Sequence, residues 1–415
     1  MLKNNTKLLL LFSSHIISGL SSGISMIAIP WYFTNNLNLN SLFSVIFGSV
    51  TLVGLFWGLY SGTIIDKYNR KIILEKLNFY VGLIIFVFSV LIIHLNSTII
   101  STILIALIFS TTCFYYIIYY PTLYAFSQEI SEKKNYVKIN SYIEIVGQST
   151  TVAAGGLAAI LLSGLTFKSI NINPLSIEKI LLIDSITFLI GSLIISKIKF
   201  SRKKNKRKSD DILKRLYVGI KFLKSNKLIL IFGICSHIIF AFILTELFTL
   251  LPLLIKNFFV KGAYVFAITD LCYAVGALFS GFFVHKWITY IDKIRLSFLL
   301  IIFTSMSILV MISNKSLISL FTISIILGLS NSGVRILRNS FLFDNVPNDK
   351  IGRVISIFVS INTMIRVVLI FLFSYHFFSE KENVIYGYII CSIILFFFSL
   401  PIIYFYKQLK RNCII

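Results

Sequence analysis

The chain predicts an all-α membrane protein of twelve spanning helices, arranged as two six-helix bundles. Three observations carry this: a strongly apolar composition, the number and length of the apolar runs, and a charged loop that returns in weakened form 219 residues later. Of 415 residues, 57% are hydrophobic and 13% charged, with a mean hydropathy of +0.89. Soluble domains carry about a quarter charged residues. A spanning helix needs about 20 predominantly apolar residues, and twelve segments meet that length.

In chain order, helix 1 covers 8–33 and carries Ser14, Ser18, Ser21 and Ser25 at helical spacing, beside His15 and Ser22. One face of it lines a water-filled cavity or packs on a neighbour. Helix 2, 42–65, runs into a short charged loop, and helix 3 follows at 72–95. Helix 4, 98–126, bears Tyr115, Tyr116, Tyr119, Tyr120 and Tyr124, which flank a cavity for a flat apolar molecule or sit at lipid interfaces. Helix 5 spans 139–165, and helix 6, at 178–198, leads into a basic linker. The second set is helix 7 at 228–255, helix 8 at 261–288, helix 9 at 293–313, helix 10 at 315–343, helix 11 at 353–378 and helix 12 at 384–406. Several exceed the bilayer thickness, so tilt or extension into water is expected.

Lysine and arginine set the orientation. With both termini cytoplasmic, the inner segments hold 30 of the 39 and the outer loops only Lys168, Lys179, Lys256, Lys261, Lys315 and Lys381. That asymmetry places the termini inside. The net charge of +23 is therefore topological, and a nucleic-acid partner is not expected. The first apolar stretch is too long for a cleavable signal peptide and lacks a small-residue cleavage site. Cys113, Cys235, Cys272, Cys391 and Cys413 are scattered without metal-ligand spacing and read as packing residues or free thiols. No P-loop, HExxH or nucleophile–base constellation is present, so neither an enzyme nor a bound cofactor or metal is expected.

The halves echo each other. Gly62-Thr63-Ile64-Ile65-Asp66-Lys67 ends helix 2, and Gly281-Phe282-Phe283-Val284-His285-Lys286 ends helix 8. Ile130-Ser131-Glu132-Lys133 before helix 5 answers Val346-Pro347-Asn348-Asp349-Lys350 before helix 11. A duplicated six-helix unit follows, with 1–198 and 228–415 as the bundles and 199–227 as the linker. The linker holds the run Arg202 to Lys208, then Ser209 as an N-cap and Ile212, Leu216, Ile220 and Leu223 on one face. It reads equally as an interfacial helix on anionic lipid or as a solvated tether.

The loop after helix 2 places Gly62, Asp66, Lys67, Arg70 and Lys71 at the spacing glycine, three residues, aspartate, basic, two residues, arginine, basic. In that pattern it resembles the signature loop of the major facilitator superfamily. The resemblance implies the major facilitator fold and a conformational switch. Asp66 would meet the positive dipole at the start of helix 11 while the cytoplasmic side is shut, so that breaking the contact biases a two-state equilibrium.

Helix 5 offers Gly147, then Thr151-Val152 where antiporters of this superfamily place Gly-Pro, then Gly155-Gly156. These glycines form either a degenerate antiporter motif or simple small-residue packing. From Pro121 to Gly156 the chain looks like the macrolide-efflux type of drug:proton antiporter. That resemblance implies proton-coupled, multi-pass export of amphiphilic small molecules from the bacterial cytoplasmic membrane by a monomer, with consequences for antibiotic resistance. The same fold also hosts uptake, metabolite and siderophore carriers. A non-transporting sensor or assembly subunit is the alternative of another class.

Charges within the spans mark the coupling site, because an ionisable group at a helix centre costs about 2.5–3.5 kcal/mol. Glu246 on helix 7 and Asp270 on helix 8 lie at similar depth, and Arg366 sits near the middle of helix 11. Glu246 is the first candidate for carrying the proton, Asp270 the second, with Arg366 as counter-charge. The other reading is a static buried ion pair. Asp184, near the outer end of helix 6 and half-solvated, is a secondary candidate. Glu144 is shallow on helix 5 and reads as a gate or loop partner. Arg335 and Arg338 share a face of helix 10 and are expected to pair with Asp344 or Glu144. His15 and His237 titrate near neutrality in principle, although a membrane histidine is also a common packing residue. Helix 1 lacks the acid that many drug:proton antiporters place there.

Overall fold

The computed structural model describes residues 6–95, 97–132, 136–167, 170–200, 212–347 and 350–412. The basic run Arg202 to Lys208, Ser209 and Asp349 lie outside the described residues, as do Gly62 and the side chains of Asp66, Glu144 and His285.

Among the described residues, twelve helices are long and apolar enough to cross a membrane. Helices 1–6 run Thr6–Trp31, Asn40–Lys67, Arg70–Leu95, Thr98–Glu129, Tyr136–Ser163 and Ile177–Ser196. Helix 7 starts at Lys227 and continues through widened turns to Phe258. Helices 8–12 run Ala263–Trp287, Lys293–Ser313, Leu317–Asn345, Ile351–Phe373 and Val384–Tyr404. Helix 9 falls on its predicted residues. Helix 11 ends five residues early, at Phe373, and a short 3-10 turn, His376–Ser379, takes up the remainder. A small antiparallel hairpin that the apolar periodicity does not reveal follows helix 5, with β1 Leu165–Phe167 paired to β2 Ile170–Ile172.

Helices 1 and 7 end in the same construction. Pro30 and Pro252 stand 222 residues apart, and each is followed by a π turn, Tyr32–Asn36 and Leu254–Phe258. Proline has no N–H, and its ring clashes with the carbonyl four residues back, so the regular ladder fails there. The next turn widens, and the Leu37 and Phe259 amides reach five residues back to Tyr32 and Leu254 at 3.1 and 3.0 Å. Each exit then carries a residue with positive φ, Asn38 at 57° and Val260 at 54°.

The chain forms two compact units. The first contains helices 1 and 3–6, helix 2 from Ser49 onward, and Gly262–Ala267 at the start of helix 8. The second contains Leu39–Gly48, the linker helix Ile212–Ser225, helix 7, helix 8 from Ile268, and helices 9–12. In the first unit helix 6 packs on helices 1 and 3, helix 3 on helix 4, and helix 1 on helix 5. In the second, helix 12 packs on helices 7 and 9, helix 9 on helix 10, and helix 7 on helix 11. Adding six to each partner of the first pattern reproduces the second, as a duplicated unit requires.

Helices 1 and 5 approach closely within the span of the predicted glycine motif, beside Gly155-Gly156 rather than at Gly147. Gly147 has no atom within 4 Å of where a Cβ would stand, whereas a Cβ on Gly23 would lie 2.7 Å from the Ala154 methyl. The linker helix docks on helix 11, where a Cβ on Gly219 would lie 2.6 Å from Ile357. Leu223 is buried there, but Ile220 is exposed, so the expected apolar face is only partly used in packing.

Candidate functional site

Glu246 stands at the start of a π turn, Glu246–Leu250, inside helix 7. Pro252 lies six residues on and removes a regular helical bond nearby, and such widened turns concentrate at functional sites. The carboxyl is buried, and its Oε1 accepts a 2.8 Å hydrogen bond from the Tyr388 hydroxyl on helix 12. Asp270, also buried, stands two turns into helix 8. Both acids line one cavity of about 20 Å³ with Thr269, Tyr273 and Ser324. Ile243, Leu247, Leu251 and Leu327 complete its lining, and its size leaves room for about one water molecule. Asn331 on helix 10 donates to the Tyr273 hydroxyl at 2.7 Å and fixes that wall.

The two carboxyls predicted to share a level thus do meet, within the second unit. The expected counter-charge does not join them, since neither Glu246 nor Asp270 makes an ion pair among the described residues. Arg366 is therefore not their partner. Arg338 is buried on helix 10 and donates to the Ser236 carbonyl at 3.0 Å. Asp344, its expected partner, pairs instead with Lys293. His237 is a packing residue: its Nδ1 donates to the Gly233 carbonyl at 2.6 Å, and its ring stacks on Phe358.

Asp184 departs furthest from expectation. It is fully buried rather than half-solvated, as the eighth residue of helix 6. The serine stripe of helix 1 is buried as well, at Ser14, Ser18, Ser21, Ser22 and Ser25. It faces the neighbouring helices: Ser14 donates to the Gly191 carbonyl of helix 6, and Ser22 accepts from Tyr116 of helix 4. His15 is buried with its Nδ1 3.2 Å from the Tyr119 hydroxyl. The helix-4 tyrosines are therefore largely interior. Tyr115 stacks on Tyr119 and donates to Asn78, leaving Tyr120 partly exposed.

The described part of the charged loop is anchored inside the first unit. Arg70 pairs with Glu129 at the end of helix 4 at 3.3 Å and also donates to the Ala125 carbonyl. Lys71 donates to the Ser196 carbonyl that closes helix 6, and its own amide is capped by Asn69. Lys67 lies over the Tyr68 ring. Arg70 and Lys71 thus tie the ends of helices 3, 4 and 6 together.

Sequence reasoning missed Tyr388, the hydrogen-bond partner of Glu246, and the Tyr273–Asn331 pair. Each is a polar group on an apolar span, but nothing in the period of helices 8, 10 and 12 says which neighbours they face.

Two matching sets of six spanning helices, with two buried carboxyls on one small cavity, define a polytopic carrier rather than an enzyme. The sequence profile of the Major Facilitator Superfamily matches residues 11–370, and the chain belongs to that family. No curated protein sequence matches it. Among solved structures it is similar to the nucleoside transporter NupG, with TM-score 0.72 and 12% identity over 97% of this chain and 99% of that one. A bacterial homologue of the iron transporter ferroportin, in an inward-facing state, gives 0.68 and 16%, over 97% and 99%. A bacterial homologue of the human lysosomal transporter Spinster gives 0.68 and 12%, over 98% and 97%. These identities establish a shared fold.

Proposed function

We propose that the protein is a secondary active transporter that exports an amphiphilic small molecule in exchange for protons, by alternating access. The observation that carries this reading is the cavity shared by Glu246 and Asp270. Two buried carboxyls without a basic partner among the described residues are costly to keep inside a membrane, and a cavity with room for one water beside them offers a place for a proton to arrive and leave. Removing such carboxyls from water disfavours their charged forms, and a neighbouring donor such as Tyr388 favours them, which gives substrate and access a handle on proton uptake. Each proton moving inward contributes about 2.3 kcal/mol per 100 mV of membrane potential.

In this reading, 1–198 and 228–415 act as the two functional halves and 199–227 connects them. Gly62, Asp66, Lys67, Arg70 and Lys71 form the conformational switch. The excess of basic residues in the inner segments supports cytoplasmic termini, and in this reading the membrane is that of a bacterial cell and the monomer is the working unit. Asp184, Glu144, His15 and Arg366 are kept outside the first coupling step.

Inverted membrane vesicles test the reading. Proton-driven uptake of amphiphilic drugs into their lumen, with release of lumenal protons, supports export. Substrate movement in the opposite sense would make the protein an uptake or metabolite carrier. No substrate-linked proton movement with any compound would remove the antiport reading and leave a non-transporting role.

A further inference from the structure

The first unit holds a buried carboxyl that the Glu246–Asp270 cavity does not use. Asp184 is 0% exposed. Neither of its carboxyl oxygens has a hydrogen-bond partner, and no basic side chain pairs with it among the described residues. Its surroundings are hydroxyls. Ser25 and Ser21 of helix 1 lie near it without a hydrogen bond to it, four residues apart and therefore on one side of that helix, and the buried Ser25 hydroxyl is itself without a partner. Tyr116 of helix 4 lies beside it, held by a 2.8 Å hydrogen bond to Ser22.

Other titratable groups are more distant along the same elements. On helix 3, Glu75 and Lys71 meet helix 6 at Ser192 and Ser196, roughly two and three turns beyond Asp184. On helix 1, His15 precedes Ser21 by six residues and is engaged with Tyr119. None of these supplies a compensating charge at the carboxyl.

A buried carboxylate with no donor and no counter-charge is strongly unfavourable, and folded proteins avoid it by neutralising the group. Carboxyl and hydroxyl oxygens are hard ligands suited to a small hard cation. We propose that Asp184, with the hydroxyls of Ser21 and Ser25, is a second small-cation site, occupied by a proton or by sodium and separate from the Glu246–Asp270 cavity. With a proton, the neutral acid donates to one serine. With sodium, the carboxylate and both hydroxyls supply the ligands. Either occupant lets helices 1, 4 and 6 remain packed around the group, so the stability of this unit depends on it. The inference is independent of drug export and of the direction of transport.

The test uses the purified full chain, without substrate. Thermal midpoints are compared from mildly acidic to alkaline buffer, in choline chloride and in sodium chloride at equal ionic strength, for the parent and for Asp184→Asn. A proton site predicts a midpoint that falls with rising pH in the parent, with a clearly smaller slope in the variant. A sodium site predicts that sodium restores the alkaline midpoint of the parent and leaves the variant unmoved. Identical pH slopes and identical sodium responses in the two proteins overturn the proposal. Should Asp184→Asn fail to fold, Ser21→Ala/Ser25→Ala keeps the carboxyl. Its infrared spectrum must then show a shifted protonated-carboxyl stretch or a weakened sodium response relative to the parent, and an unchanged spectrum with an unchanged response sinks the idea.

Discussion

Replacing Gly276 with alanine probes the closest approach of two helices beside the carboxyl cavity. At this crossing helices 8 and 10 touch backbone to backbone. A Cβ on Gly276 would lie 2.0 Å from the Ile325 carbonyl oxygen, and one on Gly328 would lie 1.9 Å from the Tyr273 carbonyl oxygen. Small residues permit such contacts between membrane helices. A methyl group needs at least 3.0 Å, so the helices must part by at least about 1 Å. The Tyr273–Asn331 hydrogen bond, 2.7 Å long, bridges the same two helices and leaves bonding range with a shift of that size. Overpacking costs about 1–3 kcal/mol, and the lost hydrogen bond adds about 1 kcal/mol. The expected result is a lower thermal midpoint in detergent together with reduced transport, because Asp270, Tyr273 and Ser324 line the cavity from these helices. Gly147→Ala is the control: with nothing within 4 Å, it is neutral or stabilising by up to about 1 kcal/mol. If the two variants behave alike, the reasoning from the crossing is refuted.

Three further outcomes are expected. Tyr388→Phe removes the one hydrogen bond that the buried Glu246 carboxyl accepts among the described residues, destabilises by about 1–3 kcal/mol and shifts the pH profile of transport; an unchanged profile would separate Tyr388 from coupling. Val260→Gly relieves a β-branched residue at φ 54° whose side chain is 71% exposed, so thermal unfolding should show a gain of about 1–2 kcal/mol. Glu129→Gln breaks a partly exposed ion pair with Arg70 and should cost less than about 1 kcal/mol, with the difference fading in high salt.

The spans were legible because a membrane demands a length, and apolar runs of that length are hard to mistake. Helix 9 and the duplicated halves show this most clearly. The meeting of Glu246 with Asp270 was legible too, since depth along helices of opposite direction is a matter of counting. Rotation about a helix axis was not. Helix 12 is apolar all round, so no stripe announced that Tyr388 points at Glu246. The depth of Asp184 along helix 6 did not reveal that helix 1 covers it. Its seclusion was nevertheless hinted at by serines recurring at helical spacing, which is how a polar layer between packed helices is written. The π turns had a signal in Pro30 and Pro252, which a count of apolar residues passes over.

The paired carboxyls also divide the burden of function unequally between the units. The second unit offers a cavity with room for one water molecule and a hydroxyl donor already engaged. The first offers a fully buried carboxyl beside Ser21 and Ser25, with no hydrogen-bond partner among the described residues. Proton exchange during a transport cycle needs a route for water, and that favours the Glu246–Asp270 cavity as the coupling site.

The most direct measurement compares two activities of one variant, Glu246→Gln, in reconstituted vesicles. The account predicts that proton-driven accumulation of substrate is lost, while substrate exchange without a gradient continues. Accumulation equal to that of the parent would contradict the account and remove Glu246 from the coupling step.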